Sequence, residues 1–191
     1  MRARTENVIY PVPMLIRNLP WTRVIRGLFK PTECEQLVRL GAQKAGKSKR
    51  RSQVQRGERE AWSFDLYPDD AQWAYERVAR TFAQENVWGF ALTGIVEPLT
   101  VLMYPRGARA ELHSDHDYSD QNQSKITAII PLVDRRAWTG GELSVGSGGA
   151  VRALNRGDCV LFPSFAGHWV SSVRKGMRTV LAAWVAGPQP V

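Results

Sequence analysis

The sequence predicts a mainly β protein with two helices ahead of the β region, and three observations carry that expectation. From about residue 97 onward, short apolar runs alternate with dense Gly, Pro and Asp turns. Before that point, two stretches show helical spacing. The length of 191 residues, 43% of them apolar, is enough for one domain with a buried core and excludes a disordered chain.

In chain order, Pro31 to Gly41 reads as the first helix. Thr32 is its expected N-cap, Glu35 stands at capping-box spacing, and Gly41 is its expected stop. Asp69 to Glu85 reads as the second, with Trp73, Val78 and Phe82 placed to share one face. Between them Lys44–Arg59 is rich in Lys and Arg and poor in anything that can enter a core, so it reads as a mobile loop of open function. The expected strands are Leu99–Tyr104, Ala110–His113, Ile126–Val133, Glu142–Val145, Val151–Leu154, Cys159–Phe162, Trp169–Val173 and Thr179–Val185. Seven or eight evenly spaced strands argue for a double-sheet jelly roll or a small barrel, with no helix after the second. No linker separates the two regimes, so the expectation is a single domain over 1–191: a support region to 96 and a β core over 97–187.

The charge is +8 at neutral pH, which would suit an acidic protein, a nucleic acid or a carboxylate-bearing small molecule, or simply a solvated face. No run approaches the ~20 apolar residues that span a bilayer, and the first 20 residues lack a signal-peptide core. Cys34 and Cys159 are 125 positions apart and fit no metal or redox motif. A cytoplasmic protein in a reducing setting, with no membrane partner, is the expectation.

Histidine is the informative residue. There are three: His113, His116 and His168. Two fall within four positions and beside two aspartates, which fits either a metal or acid–base site or a polar loop. On an extended chain, side chains two apart point the same way, so His113 and Asp115 can converge on one point. A third ligand from another strand would complete a two-His-one-carboxylate face, the donor set of non-haem Fe(II) oxygenases. His168, 55 residues after His113, is the remaining His outside the cluster.

The larger pattern resembles a known family. Tyr104-x2-Gly107-x5-His113-x-Asp115, Gly140-Gly141-Glu142-Leu143, Gly157-Asp158-x3-Phe162 and His168-x4-Val173-x2-Gly176-x-Arg178 are similar to the prolyl 4-hydroxylase-like 2-oxoglutarate/Fe(II)-dependent dioxygenases. Leu28-Phe29-x-Pro31-x-Glu33-Cys34 resembles that family's first supporting helix, so the likeness covers most of residues 25–187. The basic 44–59 stretch has no counterpart in it. The resemblance implies a double-stranded β-helix (jelly roll) core with the two N-terminal helices packed on it. It implies Fe(II) held by His113, Asp115 and His168, and 2-oxoglutarate held at its far carboxylate by Arg178, ten positions after His168. A guanidinium fork suits that role because it gives a carboxylate two parallel hydrogen bonds.

Tyr104 lies where the family's tyrosine hydroxyl helps bind 2-oxoglutarate, although a buried core tyrosine is the equal alternative. His116 would need a carboxylate two residues on to act as ligand, and Tyr118 stands there. It is a candidate for substrate contact, against a solvated polar loop. Thr127 and Thr179 are further polar candidates that nothing in the sequence singles out. Trp138, Trp169 and Trp184 could line a cavity or fill a core. Ala110 stands where the family often has an aromatic residue, which weakens any transfer of substrate identity.

The implied reaction hydroxylates an unactivated C–H bond of a protein, peptide or amino-acid substrate, with release of succinate and CO2 and with ascorbate as a stimulant. Halogenation is disfavoured because Asp115 is present. Two alternatives compete. A nucleic-acid demethylase of the alkylation-repair type is favoured by the charge, but it calls for a second arginine where Trp184 stands. A non-catalytic jelly-roll binding module would leave the triad and Arg178 to coincidence. Substrate identity and oligomeric state are not legible.

Overall fold

The computed structural model describes residues 19–45, 51–52, 61–116, 122–151 and 154–188. Helix α1 spans Pro31–Ala45. It starts at Pro31 as expected, but its capping differs: Pro31, whose fixed φ suits a first helical position, follows Lys30, whose N–H donates to the Glu33 carboxylate at 2.7 Å. Glu33, not Glu35, is therefore the acidic residue that closes the helix start, and Thr32 is not the cap. The expected stop at Gly41 is also corrected. Gly41 lies inside α1, where a Cβ would sit 3.1 Å from the Val101 side chain, so glycine there permits close approach of helix to sheet. Helix α2 spans Pro68–Gln84 and buries Val78 and Phe82, with Trp73 packed beside them. Asp70 joins the helices, accepting from the Tyr67 N–H at 2.7 Å and pairing with Lys44 at 2.5 Å.

The strands are β1 (Arg23–Ile25), β2 (Arg51–Ser52), β3 (Ala61–Leu66), β4 (Leu99–Tyr104), β5 (Ala110–His113), β6 (Asn122–Pro131), β7 (Trp138–Gly140), β8 (Leu143–Val145), β9 (Cys159–Pro163), β10 (His168–Val170), β11 (Val173–Gly176) and β12 (Arg178–Pro188). Every pairing between them is antiparallel. A large sheet runs β1-β9-β6-β12-β4-β3-β2, a small one runs β5-β10-β8, and β11 pairs with β7.

Several expectations change in detail. The single strand expected over Trp169–Val173 is two strands, β10 and β11, belonging to different sheets. Thr139 and Gly140, although their composition is that of a turn, lie in β7. At the expected Val151–Leu154 strand the structure has only the isolated bridge Ser144↔Ala150, and residues 152–153 lie outside the described residues. Of the 44–59 stretch read as a loop, residues 44–45 end α1 and 51–52 pair with β3, while the rest lies outside the described residues. Among the described residues, no α-helix follows α2 and no helix is long and apolar enough to cross a membrane.

Alternation along the strands divides the core into two layers. Leu99, Val101 and Met103 of β4, Ile126, Ala128 and Ile130 of β6, and Leu181, Ala183 and Val185 of β12 pack with the helices. Their neighbours Leu102, Tyr104, Ile129, Val180, Ala182 and Trp184 face the other way, toward Leu143, Val145 and Val170 of the small sheet. The helices brace one side of the large sheet, and the polar residues discussed below belong to the other.

Asp158 fastens the connection between β1 and α1 to the turn before β9. It accepts from the Gly27 N–H at 2.9 Å, the Asn155 N–H at 2.9 Å and Arg26 Nη1 at 2.7 Å. Burial would raise its pKa, but the two backbone donors and the Arg26 guanidinium together hold it below the ordinary carboxylate value. A lowered folded pKa stabilises above the unfolded value of about 3.9 and loses that contribution as pH falls through the folded one. Asp158→Ala should therefore cost about 2–3 kcal/mol in a urea titration at pH 7, with the gap to wild type narrowing as pH drops below about 4. An unchanged midpoint at pH 7 would refute this anchoring role.

Candidate metal and cosubstrate site

The small sheet brings the two distant histidines together. His168 in β10 is the cross-strand partner of His113 in β5, and their ring centroids are 4.2 Å apart. Asp115 follows two positions later, where its N–H donates to the Ser164 carbonyl at 2.9 Å. His113 Nε2 lies 3.7 Å from Asp115 Oδ1, and His168 Nε2 lies 3.5 Å from Asp115 Oδ2. One ligating atom from each of the three residues falls within 4.8 Å of the others. Their side chains are only 7%, 10% and 4% exposed.

The hydrogen bonds behind these groups set which atoms face inward. His113 Nδ1 is 2.7 Å from the Glu111 carbonyl, and His168 Nδ1 is 3.0 Å from the Ala166 carbonyl. A carbonyl can only accept, so each Nδ1 carries the proton and each Nε2 presents a lone pair. Asp115 is braced in turn: the Thr127 hydroxyl donates to its Oδ2 at 2.8 Å and sits 3.0 Å from the Ser164 hydroxyl. Two imidazole lone pairs and an oriented carboxylate are a donor set for a divalent first-row metal, and backbone and hydroxyl groups holding such ligands from behind are the usual support of a metal site. The residues fit Fe(II).

Arg178 opens β12 directly opposite Tyr104 of β4, and its guanidinium carbon lies 5.0 Å from the centre of the tyrosine ring. Both residues are buried, at 5% and 2% exposure. Tyr104 is thus a stacking partner of the arginine. Arg178 also lines a cavity of about 200 Å³ together with Pro131, Arg135, Trp138, Leu143 and Leu154. A buried guanidinium in the wall of so small a cavity fits one end of a small carboxylate. The residues fit 2-oxoglutarate.

Of the residues singled out from the sequence, the structure joins His113, Asp115 and His168, and pairs Arg178 with Tyr104 beside a cavity. His116 stays outside the cluster of ligating atoms, half-buried, with Nδ1 3.1 Å from the Ser124 carbonyl. Trp184 is buried beside Thr127 across the β12–β6 pairing, and Trp169 and Leu112 flank a separate groove. Thr179 is buried in β12, and Ala110 lies in the core between the sheets. Ser164 carried no sequence signal, since it meets Thr127 only through the β6–β9 pairing.

The comparisons with known proteins agree with this geometry. Residues 99–186 match the model of the 2OG-Fe(II) oxygenase superfamily. Curated relatives include a PKHD-type hydroxylase of Prochlorococcus marinus strain MIT 9312, 24% identical over 98 residues, covering 50% of this chain and 44% of that protein. Another, from Synechococcus sp. strain CC9311, is 26% identical over 101 residues, covering 52% and 46%. The matched stretch spans less than half the length of either relative.

Among solved structures, a Pseudomonas putida prolyl-4-hydroxylase superimposes with a TM-score of 0.70 at 15% identity, covering 87% of this chain and 92% of that one. The viral collagen prolyl hydroxylase of Paramecium Bursaria Chlorella virus-1 gives 0.69 at 16%, covering 88% and 97%. At such identities the likeness is one of fold. The same fold is shared by the non-haem α-ketoglutarate-dependent epimerase SnoN of nogalamycin biosynthesis, at TM-score 0.62 and 17% identity, covering 87% and 78%. Family match, PKHD-type relatives and prolyl hydroxylase neighbours point the same way: residues 99–186 match the 2OG-Fe(II) oxygenase superfamily, and the chain is similar to PKHD-type hydroxylases in sequence and to prolyl hydroxylases in fold.

Proposed function

We propose that this chain is a 2-oxoglutarate- and Fe(II)-dependent dioxygenase that hydroxylates an unactivated C–H bond of a protein, peptide or amino-acid substrate, releasing succinate and CO2. The observation that carries the reading is the pairing of two sites: an inward-facing His113–Asp115–His168 cluster, and a small cavity walled by the buried Arg178. A metal-binding module alone has no need of the second. In the same reading residues 1–191 act as one domain in the cytoplasm, with 1–96 as support and 97–187 as a double-stranded β-helix. The two facing β layers with their shared apolar interior support that architecture.

Bound at these residues, Fe(II) and 2-oxoglutarate supply oxidation by dioxygen coupled to decarboxylation of the oxoacid. His113 and His168 offer Nε2 because their Nδ1 protons are committed to carbonyls, and Thr127 holds the plane of Asp115. Arg178 takes the far carboxylate, with Tyr104 beneath it fixing the direction of the guanidinium. The apolar walls from Ile129, Leu143, Val145 and Val170 exclude water from the space between the sheets. His116 is the candidate for substrate contact, because it follows Asp115 directly in the chain and is not one of the converging ligand residues. A peptide or protein substrate is supported by the prolyl hydroxylase from Trichoplax adhaerens, solved with a hypoxia inducible factor peptide fragment, which shares the fold at TM-score 0.69, 14% identity, 87% of this chain and 83% of that one. The alkylation-repair alternative calls for an arginine where Trp184 is buried.

Anaerobically purified protein given Fe(II), ascorbate, 2-oxoglutarate and air should form succinate slowly without substrate, and His168→Ala protein should form none. Wild-type protein that neither turns over nor binds 2-oxoglutarate would refute the reading.

A further inference from the structure

Among the described residues, one buried side-chain nitrogen has no hydrogen-bond partner: the indole Nε1 of Trp138. The residue is 4% exposed. Leaving such a donor unpaired is destabilising, and buried tryptophans ordinarily find it an acceptor. An orphan of this kind calls for an explanation from its surroundings.

Its surroundings are the cavity of Arg178. Trp138 stands in β7 opposite Gly176 of β11, two residues before Arg178, and both side chains line the same space. Gly141 lets them close on it. A Cβ at that position, where φ is +62°, would lie 2.9 Å from Arg178 Cδ and 3.6 Å from Trp138 Cδ1, the carbon bonded to Nε1. Arg135, the other cation in the wall, is committed elsewhere. Its Nη1 donates to the Trp138 carbonyl at 2.7 Å and its Nη2 lies 3.3 Å from Glu142 Oε1. Its guanidinium carbon sits 5.0 Å from the centre of the Trp138 ring, where a cation draws π density and strengthens the indole N–H as a donor. Glu142, which also lines the cavity, is held below its ordinary pKa, chiefly by the hydrogen bond from Ser171, so Arg135 keeps an ionised partner in the same wall.

We propose that the Trp138 indole N–H is a second anchor for the distal carboxylate of 2-oxoglutarate, donating to one of its oxygens beside Arg178. The assignment rests on the reading of this cavity as the 2-oxoglutarate site. It makes Trp138 a specificity-determining residue: an oxoacid with a neutral far end leaves the buried indole donor unpaired, and sites built on hydrogen bonds reject analogues that cannot make them.

The test compares 2-oxoglutarate with 2-oxopentanoate, whose methyl end replaces the distal carboxylate, by calorimetric titration of Fe(II)-loaded protein without air. A hydrogen bond to a charged group predicts that Trp138→Phe weakens 2-oxoglutarate binding about 10- to 100-fold and leaves 2-oxopentanoate within about twofold. Should the phenylalanine variant fold poorly, placing the benzothienyl analogue of tryptophan at 138, with sulfur in place of N–H, keeps the shape and should give the same selective loss. Equal weakening of both oxoacids would show that the ring only packs, and unchanged 2-oxoglutarate affinity would likewise overturn the assignment while leaving the function standing. Wild-type protein that binds no 2-oxoglutarate would remove the functional reading, and this assignment with it.

Discussion

Asp115→Ala protein, purified and titrated without air, should bind Fe(II) at least about 100-fold more weakly than wild type and form no succinate from 2-oxoglutarate. The carboxylate is the one anionic member of the cluster, and without it two neutral imidazoles would have to hold a dication in a pocket whose side chains are at most a tenth exposed. The histidines cannot compensate by swinging, because each Nδ1 is tied to a carbonyl within two residues of it. Small changes of coordination matter at such a site: loss of merely supporting groups typically costs 10–100-fold in affinity or activity, and loss of a ligand costs more. Circular dichroism should show secondary structure unchanged, since Asp115 lies beyond the end of β5 and its N–H bond to Ser164 survives the substitution. Wild-type iron affinity with wild-type turnover would sink the triad.

Arg178→Ala should separate the two halves of the site. Iron binding should stay within about threefold of wild type, because Arg178 is not among the converging ligand atoms. Affinity for 2-oxoglutarate should fall by roughly 100-fold or more, the consequence of leaving a carboxylate unpaired where a buried guanidinium stood, a loss of about 3–5 kcal/mol. Arg178→Lys should recover only part of this, since an ammonium offers a point charge in place of a planar fork and stacks less well on Tyr104. Parallel titrations with Fe(II) and with 2-oxoglutarate decide the matter. Equal loss of both would mean that Arg178 supports the fold, through its place opposite Tyr104, and not the cosubstrate.

How each part of this site became legible follows from the range of the interactions that create it. His113-x-Asp115 declares itself because the period of two of an extended chain is local, and β4, Leu99–Tyr104, is legible as a short apolar run closed by the Pro105-Arg106-Gly107 turn. The second helix is equally local, a matter of spacing between Trp73, Val78 and Phe82. His168 and Arg178 stand out in the sequence only by their order along the chain within the wider pattern.

Gly41 marks where that reasoning ends. By sequence a glycine stops a helix, but here α1 runs through it, because Val101 of β4 lies where a side chain would go. Thr139-Gly140-Gly141 has the composition of a turn, yet Thr139 and Gly140 pair with β11, and Gly141 lets Trp138 and Arg178 meet at one cavity. Trp169–Val173 looks like one strand and is divided between two sheets. Thr127 and Ser164 hold Asp115 across separations of 12 and 37 residues that only strand pairing closes. By itself, the sequence determined the local conformations and the chemical inventory, because helical and strand periods and ligand spacing act over a few residues. The tertiary structure decided which groups are buried together, which imidazole nitrogen faces inward and which donor is left without a partner, because those depend on register and packing between segments distant in the chain.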